Sequence, residues 1–214
     1  MQRHFFLDMP AGRFARNTLV ASLLGLLPLL ALYIALTPGF TAQLVGGGPA
    51  LWRFLRQVLT NGLPVVFAVN YVGFFFFAWA VDAKPDGMRQ ALVLLIDLPL
   101  RVLLFIILHA VIYVVSADWF GSFGGSRLTA LRAVAPTLAR SALFENISGV
   151  YLYATLASAV PLYAATIAGT DRFEGPPFRF PGQAGAILAA LALFCLFAAL
   201  LTATAKLIVR FQSG

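Results

Sequence analysis

The sequence predicts an all-α, polytopic transmembrane helical bundle of about five spans, with one or two short amphipathic helices at the membrane interface. Hydrophobic residues make up 61% of the 214 residues and charged residues only 11%, whereas a typical soluble domain has about 25% charged residues. A chain this apolar cannot cover its surface with water-compatible groups, so its outer face must meet lipid. We therefore expect residues 1–214 to form a single integral membrane domain.

Five apolar stretches are long enough to cross about 30 Å of hydrocarbon. They cover approximately residues 18–37, 63–81, 98–117, 147–169 and 183–205. The first stretch is too long for the apolar part of a signal peptide, and no small-residue cleavage site follows it closely, so we interpret it as a retained anchor. The third is the least regular, because Asp97, Pro99 and Arg101 interrupt it. We expect Asp97 and Arg101 to lie near one headgroup layer.

Two segments between the spans are typical of helices that lie in the interface rather than cross it. In residues 52–59 the two arginines share one side and the apolar residues share the other, and Asn61-Gly62 is expected to stop the helix. Residues 126–144 are the second candidate, although Pro136 interrupts the pattern. The apolar face predicted for this second helix contains Leu128, Leu131, Val134, Leu138 and Ala142.

The net charge of +7 comes from 15 basic and 8 acidic residues. The basic residues are scattered between apolar runs and form no basic stripe, so the pattern does not indicate a nucleic-acid partner. Instead, they suit the headgroups of a lipid bilayer. Thirteen of them are Arg, which together with abundant Ala, Leu and Gly is typical of a GC-rich bacterial genome. We expect a multi-pass protein of the bacterial inner membrane. Its orientation stays open, because the predicted sides carry eight and seven basic residues.

Ionisable groups inside a membrane are costly and are therefore candidate functional residues. They concentrate in a polar ridge on the third span, where every fourth residue falls on one slowly drifting line, and Asn70 on the second span is a hydrogen-bonding candidate. The ridge residues are Asp97, Arg101, His109 and Tyr113, with Phe105 between them. One interpretation is a proton or ion path, or a cofactor site in which His109 binds a metal or a pigment magnesium. The favoured interpretation is structural: Asp97 and Arg101 neutralise each other, Arg101 extends towards the headgroups, and His109 makes an interhelical hydrogen bond.

Enzyme signatures are absent from the sequence. It contains no His-Glu-x-x-His motif and no phosphate-binding glycine-rich loop, and Cys195 is the only cysteine. We therefore assign no catalytic residue and no metal site. The run of four phenylalanines at 74–77, followed by Trp79, suits a groove for a hydrophobic cofactor or quinone, but packing against lipid or a partner is the commoner use of such a run.

These features favour a non-enzymatic accessory, assembly or scaffolding subunit of a larger bacterial membrane complex, whose partners would be other integral membrane subunits. Little soluble mass, few buried charges and abundant aromatic and small residues motivate this hypothesis. The alternative is a small transporter, a channel or a proton-coupled membrane protein that uses the polar ridge on the third span.

Overall fold

The structure, a computed structural model, describes residues 9–46, 48–82, 87–169 and 182–212. This part of the chain is helical and contains no strand, as predicted. Its helices are α1 (Ala11–Leu36), α2 (Phe40–Val45), α3 (Pro49–Gln57), α4 (Leu63–Asp82), α5 (Gly87–Trp119), α6 (Arg127–Ala142), α7 (Ile147–Ala157), α8 (Val160–Ala168) and α9 (Gly182–Gln212). Five units are long and apolar enough to cross a membrane, which confirms the polytopic bundle.

The five units are α1, α3 with α4, α5, α7 with α8, and α9. The fourth occupies the centre of the bundle. In its most apolar stretch 78% of the residues are buried, against 28% in α1 and 22% in both α5 and α9. The outward faces of α1, α4, α5 and α9 carry exposed Leu, Ile, Val, Phe and Trp side chains and suit contact with lipid.

The predicted stop at Asn61-Gly62 is wrong. The amphipathic helix α3 is present, but it continues through a π-helical turn, Val58–Gly62, directly into α4. A π turn accommodates one extra residue without ending the helix. Gly62 is buried against α7, and a Cβ at this position would overlap the ring of Tyr151. The glycine serves close packing rather than helix termination.

The fourth span is broken into α7 and α8 at Ser158 and Ala159. Pro161 lies in the first turn of α8, where its missing N–H needs no partner within the helix. In a continuous helix the same proline would remove one backbone hydrogen bond and clash with the preceding turn. Pro161 therefore suits the start of α8, and the span prediction did not include this break.

The second amphipathic helix, α6, is capped by Ser126, the residue before its first turn. The Ser126 side chain accepts a hydrogen bond from the Thr129 amide at 3.3 Å. The helix packs against α5, α7 and α9. Only part of its predicted apolar face is buried: Val134 and Ala142 lie in the interior, whereas Leu128 and Leu131 are 60% and 51% exposed. The buried side of the helix is completed by Ala130, Ala139 and Ser141.

Candidate functional site: a buried polar cluster

Five polar side chains from four helices meet in the interior of the bundle. They are Ser22 on α1, Asn70 on α4, Asp97 and Arg101 on α5, and Tyr163 on α8. We call them the polar cluster. Asp97 is 3% exposed and the other four are fully buried. The cluster therefore joins α1, α4, α5 and α8 through groups that water does not reach.

Asp97 is the centre of the cluster. Its Oδ2 accepts a hydrogen bond from Arg101 Nε at 2.7 Å and another from the Tyr163 hydroxyl at 2.7 Å. The spacing of four residues on α5 places Asp97 and Arg101 one turn apart on the same face. Their charges cancel within the protein, and this lowers the cost of burying both, because either charge alone would be strongly disfavoured in a low-dielectric interior.

The hydrogen bonds continue from Arg101 across the bundle to α1. Arg101 Nη1 donates to Asn70 Oδ1 at 3.0 Å, and Asn70 Nδ2 donates to Ser22 Oγ at 2.9 Å. Ser22 in turn donates to the carbonyl of Thr18, one turn earlier on α1, at 2.8 Å. The amide of Asn70 acts here as both acceptor and donor, so its side chain links the ion pair to Ser22 on α1.

Besides its hydrogen bonds, the guanidinium of Arg101 contacts two residues of α4, Phe74 and Gly73. Its Cζ lies 4.3 Å from the centroid of the Phe74 ring, a cation–π contact. Gly73 borders it as well, since a Cβ there would lie 3.1 Å from both Cζ and Nη1 of Arg101. The expectation that Arg101 reaches the headgroups is therefore wrong, because the side chain is 0% exposed.

Two atoms of the ion pair remain without a hydrogen-bond partner in the described part of the chain: Asp97 Oδ1 and Arg101 Nη2. An unsatisfied buried polar atom costs about 1–3 kcal/mol, and more when the group is charged. The cluster is thus strongly connected but not fully satisfied.

His109 and Tyr113 belong to a different arrangement from the polar cluster. They form an aromatic stack with Phe105 and Phe123, in which the ring centroids are 4.4 Å apart from Phe105 to His109, 6.1 Å from His109 to Tyr113 and 5.6 Å from Tyr113 to Phe123. His109 is 7% exposed and its Nδ1 has no partner in the described structure. The imidazole therefore packs between the rings of Phe105 and Tyr113. That His109 binds a cofactor stays a prediction.

The structure thus divides the predicted ridge in two. It brings Asn70 together with Asp97 and Arg101, and it leaves His109 and Tyr113 in the aromatic stack. Sequence reasoning missed Ser22 and Tyr163, because a serine or a tyrosine in an apolar span gives no sign of its partner. Among the described residues, no three His, Cys, Asp or Glu side chains come close enough to hold a metal ion.

A second feature of interest is an open groove between α1 and α9, which we call the α1–α9 groove. Its volume is about 540 Å³. Leu29 and Leu32 form the α1 wall, and its floor includes Tyr153, whose hydroxyl hydrogen-bonds to Thr202 Oγ1 at 2.9 Å. The α9 wall has Phe194 at one end and Lys206 at the other, with small residues between them. These small residues are Ala198, Ala199, Thr202 and Ala203.

Comparisons with known protein families, with curated proteins and with solved structures found no match.

Proposed function

We propose that the protein is a non-enzymatic accessory, assembly or scaffolding subunit of a larger membrane protein complex in a bacterial inner membrane. In this proposal a transmembrane helix of another subunit occupies the α1–α9 groove. The groove is the observation that carries the proposal, because it is a concave, apolar surface on the side of the bundle that no helix of the described chain fills.

The residues of the α9 wall support a helix as the occupant. Helices associate in membranes mainly through van der Waals packing, and small residues spaced by four allow their backbones to approach closely. Ala199 and Ala203 have this spacing on the exposed side of α9, and Ala198 and Thr202 repeat it one residue earlier. Lys206 at the end of the groove is placed to meet an acidic side chain or a helix C-terminus of the partner.

The polar cluster supports the same proposal from inside the bundle. Its two charges are paired with each other, and its hydrogen bonds connect four helices. A buried cluster of this kind stabilises one arrangement of the helices and leaves the outer surface free for association. It requires no substrate to account for its charged residues.

The test is native isolation of the protein from its own membranes in a mild detergent or a polymer disc. We expect it to co-migrate with larger partners. Replacement of Ala199→Leu together with Ala203→Leu fills the groove and is expected to release the protein as a free particle. The matched control is Ala184→Leu with Ala192→Leu, two exposed alanines of α9 outside the groove, which should leave the particle mass unchanged.

A free monomer in all three samples, under conditions that keep other complexes intact, would overturn the proposal. Equal loss of partners in both double variants would also contradict it, since the groove would then have no special role.

The second candidate is a small transporter, a channel or a proton-coupled protein. The observation in its favour is that Asp97 Oδ1, Arg101 Nη2 and His109 Nδ1, all on α5, lack hydrogen-bond partners in the described structure, and buried ionisable groups often mark ion paths. This candidate predicts that Asp97→Asn and His109→Ala abolish flux in proteoliposomes while both variants still fold. Normal flux in both would remove it.

A further inference from the structure

A second groove lies between α4 and α5. We call it the α4–α5 groove. Its volume is about 300 Å³. The walls carry the exposed side chains of Phe76, Trp79 and Ile96, so the groove opens towards lipid. The other apolar lining residues are Phe77, Ala80, Val93 and Leu100.

One polar side chain interrupts this apolar lining. Asp97 belongs to the lining although it is only 3% exposed. Its Oδ2 is already used by Arg101 and Tyr163, whereas Oδ1 accepts no hydrogen bond from any described residue. Asp97 is therefore the charged hydrogen-bond acceptor among the lining residues. No other lining side chain offers an acceptor, because the indole of Trp79 only donates.

The ion pair determines which ligand charge fits. Arg101 already neutralises Asp97 at 2.7 Å, and Arg101 is fully buried and does not belong to the lining. A cationic ligand would add a second positive charge next to Arg101 in a low-dielectric environment, and an anionic ligand would meet the carboxylate first. A neutral hydrogen-bond donor satisfies Oδ1 without either cost.

The volume and the apolar walls of the groove indicate the size and the hydrophobic character of the ligand. A cavity of about 150 Å³ lined by apolar residues can hold benzene, so this groove has room for a ring or a short chain with substituents. The rings of Phe76, Phe77 and Trp79 offer apolar contact to such a body. An attached alkyl tail can leave through the open side into lipid.

We propose that the α4–α5 groove binds a neutral, lipid-soluble molecule whose hydroxyl group donates a hydrogen bond to Asp97 Oδ1. Phenolic molecules such as quinols and aliphatic molecules such as diacylglycerols share this chemistry. Because Oδ1 is itself covered, the ligand reaches it when a lining side chain changes rotamer. The proposal does not depend on the accessory role, since the α1–α9 groove is lined by other residues.

Trp79 makes binding measurable. The variant Trp52→Phe with Trp119→Phe removes the other two tryptophans, which are 73% and 79% exposed, and leaves Trp79 as the only indole. The purified protein in phosphatidylcholine nanodiscs is titrated with a decylphenol that carries one bromine, at a pH where the phenol is neutral, and quenching of Trp79 is recorded. The matched probe is the methyl ether of the same compound, which has the bromine but no donor.

We expect saturable quenching by the phenol and an apparent affinity about ten- to a hundredfold lower for the ether, the range expected for loss of one hydrogen bond to a charged acceptor. A bromine-labelled dioctanoylglycerol and its methyl ether form the second pair of probes. Tighter binding of the phenol assigns the site to flat-ringed molecules, and tighter binding of the glyceride assigns it to aliphatic ones.

Asp97 is left unchanged in this test, because its substitution would disturb the polar cluster. Instead, Ala80→Leu fills the groove, and Ala192→Leu adds the same side chain to an exposed position on α9. We expect Ala80→Leu to lower the apparent affinity for the phenol at least about tenfold and Ala192→Leu to leave it unchanged. Equal affinity for the donor and ether probes in both pairs, or full binding in Ala80→Leu, would overturn the proposal.

Discussion

At the scale of single residues, the ion pair of Asp97 with Arg101 is the charged contact that lies in the interior of the bundle. Asp97 and Arg101 are 3% and 0% exposed, and their charges are balanced by each other rather than by solvent. Removal of one partner leaves the other charged and buried, which typically costs about 3–5 kcal/mol, whereas removal of both charges together is much better tolerated.

This asymmetry can be measured with three variants. Arg101→Met is expected to lower the free energy of unfolding by about 3–5 kcal/mol, and Asp97→Asn by a comparable amount. The double variant should lose clearly less than the sum of the two, because the amide introduced by Asp97→Asn still accepts the Tyr163 hydroxyl and no lone charge remains. Unfolding in mixed micelles of increasing SDS content provides the measurement. Additive losses would show that the two charges do not stabilise each other.

The sequence predicted three of the five members of the polar cluster, and the reason is local. Asp97 and Arg101 are one helical turn apart, so their pairing follows from spacing alone. Asn70 is conspicuous because an amide is rare in an apolar span. Ser22 is 48 residues from its hydrogen-bond partner Asn70 in the sequence, and Tyr163 is 66 residues from its partner Asp97. No local pattern carries that information.

At the scale of helices, contact between α1 and the central span depends on Gly25. A Cβ at this position would lie 2.7 Å from the carbonyl oxygen of Ala154 and 2.9 Å from the amide nitrogen of Ser158, at the end of α7. Both are backbone atoms, which cannot rotate away as a side chain can. The two helices approach closely here only because residue 25 has no side chain.

Gly25→Ala should therefore destabilise the bundle by about 1–3 kcal/mol, the usual cost of overpacking a close contact. Gly12→Ala, in the exposed first turn of α1 with nothing near its Cβ position, is the control. It should be neutral or slightly stabilising, because alanine favours the helix more than glycine does. The midpoint of the SDS unfolding transition compares them. A wild-type midpoint for Gly25→Ala would mean that α1 and α7 can separate at little cost.

The helix boundaries show where local patterns are insufficient. Asn61-Gly62 resembles a helix stop, but the buried contact of Gly62 with Tyr151 keeps the chain helical through the π turn. The third span was predicted as residues 98–117, whereas α5 has 33 residues and is about 50 Å long. Pairing of Asp97 with Arg101 removes the charge penalty that would otherwise end the apolar segment.

At the scale of the whole molecule, the number of spans follows from hydropathy alone, because each crossing needs its own long apolar stretch. Which of the spans lies at the centre of the bundle does not follow from hydropathy. All five spans are apolar on most sides, so the sequence cannot distinguish the central span, α7 with α8, from those that face lipid. The α1–α9 groove could not be predicted from the sequence either, since small residues are common throughout an alanine-rich helix.

Site-specific photo-crosslinking in intact membranes can show whether a helix of another subunit occupies the α1–α9 groove. A photoreactive residue is placed at Ala199 in the groove or at Leu188, which is 53% exposed on α9 outside it. If a helix lies in the groove, we expect a discrete protein adduct from position 199 and only lipid adducts from position 188. Lipid adducts alone from both positions would contradict the proposal.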